Sequence, residues 1–253
     1  MLEIHAHLNW YLYENTKILF DEFWRLVSRG LENEDILIKY DCFNKDNEIL
    51  NLIQKSQLGL GQICGTTFKK IENLEIEYLG SFVNDDQIKE GYYRSMIVAR
   101  KGINIKETEL RAAINQKDSY SGRFALYSYF NSDFKKPSFK KEIYTGSHFN
   151  TINQMCFKRV DIGSIDYVSW RAMKEIIPNQ LNELEIVGVS KIMPSPPLIC
   201  SSFKDKSLLN VLKSNLANVF KNSELRKEFN KIGILGLNNQ TSKDYDVFKS
   251  LKI

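Results

Sequence analysis

The chain has 253 residues, 43% of them hydrophobic and 26% charged. These are the proportions of an ordinary globular protein, long enough to bury a core as one large domain or two small ones. Its net charge of +4 is carried by interspersed Lys and Glu, which excludes a nucleic-acid surface of basic blocks and aromatics, and no run of about 18 apolar residues is present to cross a membrane as a helix.

The opening residues, M-L-E-I-H-A-H-L-N-W, show no basic n-region, apolar h-region or cleavage site. Either this is a mature or engineered form, or the expected compartment is the cytoplasm. The four cysteines (Cys42, Cys64, Cys156, Cys200) lack C-x-x-C spacing and read as free, mostly buried thiols.

Leu2 to Leu8 alternates as a strand with His5 and His7 on one face. Such a pair can bind metal, but no third ligand is in view and none is expected. Glu14 to Arg29 has apolar residues at helical spacing, and Gly30 is placed to end that helix. A strand over Asp35 to Tyr40 and a short helix over Asn47 to Lys55 follow. Leu58 to Gly65 reads as a buried strand running into a turn. Gly59 and Gly61 begin a dinucleotide fingerprint, but Cys64 stands where its third glycine belongs, so that reading is rejected.

Strands are expected over Leu74 to Val83 and Tyr93 to Arg100, with a helical turn over Lys106 to Leu110. Ala112 to Ile114 ends another strand, and the helix that follows starts around Ser119-Tyr120-Ser121-Gly122 and runs through Phe130. Phe139 to Tyr144 leads into Thr145-Gly146-Ser147-His148 and a helix over Phe149 to Lys158. Asp161 to Asp166 is a strand, Tyr167 to Ile176 a helix with Pro178 past its end, and Leu184 to Val189 a strand. Pro194, Pro196 and Pro197 make a stiff connector, and the tail from Ser207 to Ile253 reads as mostly helical. Alternating strands and helices predict α/β layers on largely parallel sheet. The loop and long strand of Val83 to Arg100, together with the proline-rich Ile192 to Ile199, mark a chain that leaves one lobe and later returns.

Ligands of open α/β sheets bind beyond the carboxyl ends of the strands. Those ends here carry Cys64-Gly65-Thr66-Thr67, Ser119-Tyr120-Ser121-Gly122, Ser147-His148 and Asp166. Free N–H groups, helix dipoles and hydroxyls at strand-to-helix turns suit a tetrahedral oxyanion. Gly122 lets a ligand approach the backbone, Arg123 adds a cation, and His148 can donate a hydrogen bond. Asp166 can only accept, which favours a ligand that keeps a proton or carries an amine and disfavours a fully ionised one. The same residue types also serve as plain N-caps. Cys64, His148 and Asp166 further permit a Cys-His-Asp hydrolase.

The motifs Q-I-C-G (Gln62 to Gly65), Y-R-S-M-I-V (Tyr93 to Val98), N-Q-K-D-S-Y-S-G (Asn115 to Gly122), T-G-S-H (Thr145 to His148), V-D-I-G-S-I-D (Val160 to Asp166) and P-S-P-P (Pro194 to Pro197) occur in order. In them the chain resembles the PhnD-like family of phosphate-, phosphite- and phosphonate-binding proteins of ABC transporters. The resemblance implies a two-lobed, type II periplasmic-binding-protein fold. Lobe 1 would hold residues 1–90 and 191–253, lobe 2 residues 91–190, and each would carry a mainly parallel sheet flanked by helices. It implies ligand contacts from Tyr93, Ser119, Tyr120, Ser121, His148 and Asp166, with Cys64, Gly65 and Thr66 contributing from the other lobe. It implies a monomer that captures an oxyanion or phosphonate for an ABC permease, without cofactor or catalysis. A ligand sensor of the same fold, cytoplasmic or membrane-associated, is the alternative. Lys158 departs from the pattern, standing where relatives commonly have a glycine closing the helix. Cys64-Gly65-Thr66-Thr67-Phe68 departs too, from the tyrosine-bearing loop of phosphonate binders.

Overall fold

The computed structural model describes residues 1–11, 13–40, 48–106, 109–238 and 241–251. Cys42, Asn47 and part of the turn expected over Lys106 to Leu110 lie outside them. The chain first lays down β1 (Leu2–His7), α1 (Lys17–Val27), β2 (Ile36–Lys39), α2 (Glu48–Gln54), β3 (Leu58–Gln62), α3 (Gly65–Ile71) and β4 (Ile76–Asn84). It then crosses through β5 (Tyr92–Tyr93) and β6 (Ser95–Arg100) to build β7 (Arg111–Ile114), α4 (Ala125–Phe130), β8 (Lys141–Tyr144), α5 (His148–Cys156), β9 (Ile162–Asp166), α6 (Tyr167–Ile176), α7 (Pro178–Leu181) and β10 (Leu184–Val189). It returns through β11 (Met193–Pro194) to β12 (Pro197–Ser201), α8 (Lys206–Asn218), α9 (Ser223–Lys231), β13 (Ile234–Asn238) and a 3-10 segment, Ser242–Ser250.

Two sheets result, ordered β13-β4-β12-β3-β1-β2 and β10-β6-β9-β7-β8, with β5 and β11 paired as a two-stranded ribbon. The expectation of mainly parallel sheet needs correcting. The β1–β2, β1–β3, β7–β8 and β7–β9 pairs are parallel, but β12 runs antiparallel to β3 and β4, and β6 antiparallel to β9 and β10. The strands that carry the chain out and back account for this, because they enter each sheet against the direction of the βαβ units. The proline-rich stretch is likewise more than a connector. Pro197 opens a fully buried strand, the position where a missing N–H costs least. The tail, expected to be mostly helical, also supplies β13 to the edge of the first sheet.

Three apolar clusters hold the layers. Phe20, Phe23, Phe82 and Phe229 pack edge-on and tilted between α1, α9 and the first sheet, with ring centroids 5.3–6.4 Å apart. Removing one such buried ring would cost about 3–5 kcal/mol. Behind the second sheet, Ile152, Met155, Trp170 and Met173 form another cluster. The third joins the two sheets, bringing Phe68, Tyr245 and Phe248 against Tyr93, Ile97, Tyr120 and Ile162. Gly59 serves packing here, since a Cβ would sit 2.5 Å from Ile4 and Trp24 side-chain atoms.

Lys158 stands just past α5 with φ +58°, in the left-handed region that glycine adopts freely. Its N–H reaches the Met155 carbonyl and that of Arg159 the Gln154 carbonyl, the paired bonds of a Schellman cap. The departure noted in the sequence therefore falls where backbone strain is paid by a lysine.

Candidate ligand-binding site

Four strand ends meet at one cavity of about 580 Å³. The β7 end is shaped by Asn115, whose carbonyl accepts from Gly146 N and whose Oδ1 accepts from Thr151 Oγ1. A Cβ on Gly122 would lie 2.5 Å from the Asn115 side chain, so only glycine lets the helix start this close to the strand. That helix opens with a π turn over Tyr120–Phe124, a local widening often found at functional sites. Ser119 caps it, its Oγ accepting from Gly122 N at 3.0 Å. At the β8 end, Ser147 Oγ accepts from Asn150 N at 3.1 Å and starts α5. With both oxygens used as acceptors, each hydroxyl keeps a hydrogen to donate, and both residues line the cavity.

His148 is 7% exposed, with Nδ1 3.1 Å from the Ser164 carbonyl. A carbonyl only accepts, so Nδ1 carries the hydrogen. Nε2 faces Ser121 Oγ and Asp166 Oδ2, each at 3.1 Å. Burial draws the His148 pKa below the ordinary value, and the Asp166 carboxylate and the Ser164 bond oppose it only in part. In the neutral ring the Ser121 hydroxyl donates to Nε2. Asp166, fully buried, caps α6 by accepting from Ser169 N at 3.0 Å and turns its other oxygen, which has no further partner, toward the imidazole. Asp166 therefore lies behind His148 and not on the cavity surface.

From the first sheet come His7, Asn9, Trp10 and Tyr13 beyond β1, and Gln62, Ile63, Cys64 and Thr67 beyond β3. Gln62 is 1% exposed; apart from the neighbouring Tyr11 hydroxyl, its amide atoms have no hydrogen-bond partner. Burial, reinforced by the Asp166 charge, lifts the Tyr11 and Tyr13 hydroxyls well above their usual range, so both stay protonated donors. The lining includes no lysine or arginine among the described residues. Arg123 turns away, stacking over Phe124 and Tyr127 and bonding the Lys117 carbonyl.

Of the residues expected at the ligand, Cys64, Ser119, Ser121 and His148 line the cavity together. Thr66 lies at the seam between the sheets, donating to the Asp118 carbonyl at 2.6 Å. Gly65 and Gly122 serve close packing, against Phe248 and Asn115. Tyr93 and Tyr120 do not reach the cavity. Both rings are buried in the core joining the sheets, 6.0 Å apart, and the Tyr120 hydroxyl is bonded to the Lys191 carbonyl. The Cys-His-Asp arrangement is not assembled either. Cys64 Sγ lies 3.0 Å from Thr66 Oγ1 and accepts from Tyr120 N, while the His148 nitrogens are engaged by Ser164, Ser121 and Asp166.

Sequence reasoning missed Asn9, Trp10, Tyr13 and Asn115, and read His7 only as half of a metal pair. Applying the strand-end rule to β1 as well as to the later strands would have found the first three and His7. His5 pairs with Glu3 at 3.6 Å instead. Among the described residues no cluster of three or more His, Cys, Asp or Glu is placed to hold a metal.

Two mixed sheets joined by a paired ribbon, with a cavity at converging strand ends, define a type II periplasmic-binding-protein fold, and solved structures agree. A binding protein component of an ABC phosphonate transporter from Pseudomonas aeruginosa superimposes with a TM-score of 0.78 at 16% identity, over 98% of this chain and 84% of that one. PhnD1 from Prochlorococcus marinus in complex with methylphosphonate gives 0.71 at 18% identity, over 98% and 96% of the two chains. A Xanthomonas citri protein bound to ATP gives 0.65 at 12% identity over the full length of both. No curated protein sequence matches significantly. The family model for the periplasmic substrate-binding protein of phosphonate ABC transporters matches residues 17–245, and the chain belongs to that family.

Proposed function

We propose that this protein captures a small oxyanion-type ligand (a phosphonate, phosphate or phosphite) between two lobes and delivers it to an ABC permease, as a monomer in the periplasm and without catalysing a reaction. The lobes are residues 1–90 with 191–253 and residues 91–190, and the β5–β11 ribbon between them is the hinge. One observation carries this reading. Hydroxyls of Ser119, Ser121 and Ser147 and the imidazole of His148 face one cavity that also holds Gln62, a buried amide short of partners. An arriving oxyanion accepts from the hydroxyls at two helix starts, and closure around it strips water and strengthens each bond.

The absence of a relay through His148 supports a binding role over a hydrolytic one. In a nucleophilic triad the carboxylate orients one ring nitrogen while the other takes the proton. Here both Ser121 and Asp166 address Nε2. Isothermal titration of the full chain with phosphate, phosphite, methylphosphonate, 2-aminoethylphosphonate and sulfate tests the reading. Saturable binding of at least one phosphorus oxyanion, with sulfate rejected, is expected. Silence toward all of the phosphorus compounds would refute it.

A further inference from the structure

We infer that the site takes a singly charged tetrahedral anion bearing a bulky, largely apolar organic body, a phosphonate monoester or phosphodiester in chemical class, in preference to inorganic phosphate or methylphosphonate. This rests on the oxyanion reading above and narrows it. The first observation is size. A cavity of about 580 Å³ lies in the range of pockets that hold whole organic ligands, several times what a bare tetrahedral anion fills. Thr66 Oγ1 donates to the Asp118 carbonyl at 2.6 Å and Tyr13 Oη to Ser169 Oγ at 2.7 Å, so the two sides are already in contact around the cavity.

The second observation is the character of the remaining lining. Beside its polar groups the lining includes the large side chains of Trp10, Tyr13, Ile49, Ile63, Phe149 and Ile176. Trp10, Tyr13, Phe149 and Ile176 are only partly buried, so apolar surface is available for a guest to cover. A hydrated phosphate would leave that surface wet, whereas an organic body dries it.

The third is charge. Among the described residues no lysine or arginine lines the cavity, and two carboxylates, Glu14 and Asp118, do. Lys70 meets Asp118 at 3.4 Å but is not part of the lining. A doubly charged headgroup would be desolvated beside two carboxylates with no described lysine or arginine to meet it, while hydroxyls and the imidazoles of His7 and His148 suffice for a single charge.

Calorimetric titration of the full chain in an alkaline buffer, with inorganic phosphate, methylphosphonate, phenylphosphonate and phenyl methylphosphonate, tests this. The last carries one charge and the others are largely doubly ionised. The expected order places phenyl methylphosphonate first, by about tenfold or more over methylphosphonate. Trp10→Ala should weaken the aryl ester by about tenfold and leave methylphosphonate within about twofold. Methylphosphonate binding as tightly as the ester would overturn the inference, as would equal weakening of both by the substitution. The wild-type ranking stands as a test whether or not the variant folds. If none of the four binds, this inference falls, and if phosphite and 2-aminoethylphosphonate are silent too the oxyanion reading falls with it.

Discussion

Ser121→Ala probes the proposed site most directly. Ser119 and Ser147 use their oxygens to cap helices, so replacing either one confounds ligand contact with helix stability. Ser121 caps nothing. It is 1% exposed, and its hydroxyl contacts His148 Nε2 at 3.1 Å and, at the longer distance of 3.5 Å, Ser119 Oγ. Losing its bond to the imidazole costs the unliganded protein about 1 kcal/mol, or a melting temperature lower by roughly 2–4 °C. A bound anion that draws a proton onto the imidazole frees the Ser121 hydrogen for the ligand, and losing that donor to a charged ligand costs about 1.5–3 kcal/mol, which weakens binding by about 10- to 150-fold. Calorimetric titration beside differential scanning calorimetry separates the two. A dissociation constant within about twofold of wild type, in a variant that melts near the parent, would refute the assignment of Ser121 as a ligand donor.

Three further outcomes are expected. Because burial lowers the His148 pKa, the unfolded chain binds more protons than the native one; the native advantage is full above about pH 6.5 and is lost as the pH falls through the native value. A bound anion favours the charged imidazole, so affinity for a ligand that does not itself titrate should rise as the pH falls from about 7 to 5, by at most about tenfold per unit; titrations showing no pH dependence would count against His148 at the ligand. Asp161 accepts from Arg111 Nη2 at 2.7 Å and Arg100 Nη2 at 2.6 Å, which holds its carboxyl well below the ordinary range, so its contribution is present above about pH 4 and lost in acid. Asp161→Asn should cost about 2–4 kcal/mol in urea unfolding while leaving ligand affinity unchanged, since Arg111 begins β7 and the site lies beyond its other end. Lys158→Gly should stabilise by about 0.5–1 kcal/mol by relieving the left-handed backbone, and an unchanged denaturation midpoint would show that the Schellman cap tolerates lysine without strain.

The parts of the fold legible in the sequence are those governed by local pattern. β7, β8 and β9 each end in small polar residues followed by helical periodicity, and both signals are properties of contiguous chain. What stayed hidden depends on partners far away in sequence. Ile234–Asn238 contains a glycine and only one buried residue, so nothing local marks it as a strand; its pairing with β4 does. Sheet direction was hidden for the same reason, because the antiparallel pairs come from strands that enter a sheet after an excursion. Tyr120 shows the limit at the site. A tyrosine between two serines at a helix start reads as a ligand contact, yet its ring is held in the core by Phe248, 5.5 Å away by ring centroid.

That placement of Tyr120 bears on how the site is held. The same turn gives Ser119 and Ser121 to the cavity and Tyr120 to the core, where Phe248 from the C-terminal segment and Tyr93 from the crossing ribbon grip it. Tyr120 N also reaches Cys64 Sγ at 3.4 Å, tying the turn to the first sheet. Alternate residues of one π turn thus face opposite ways. The serines' geometry is fixed by apolar packing that a ligand never touches. A preorganised set of hydroxyls loses little entropy on binding, which favours affinity in a site whose described lining holds no lysine or arginine. Changing Tyr120 or Phe248 should therefore weaken ligand capture through the placement of Ser119 and Ser121, with neither ring in contact with the ligand.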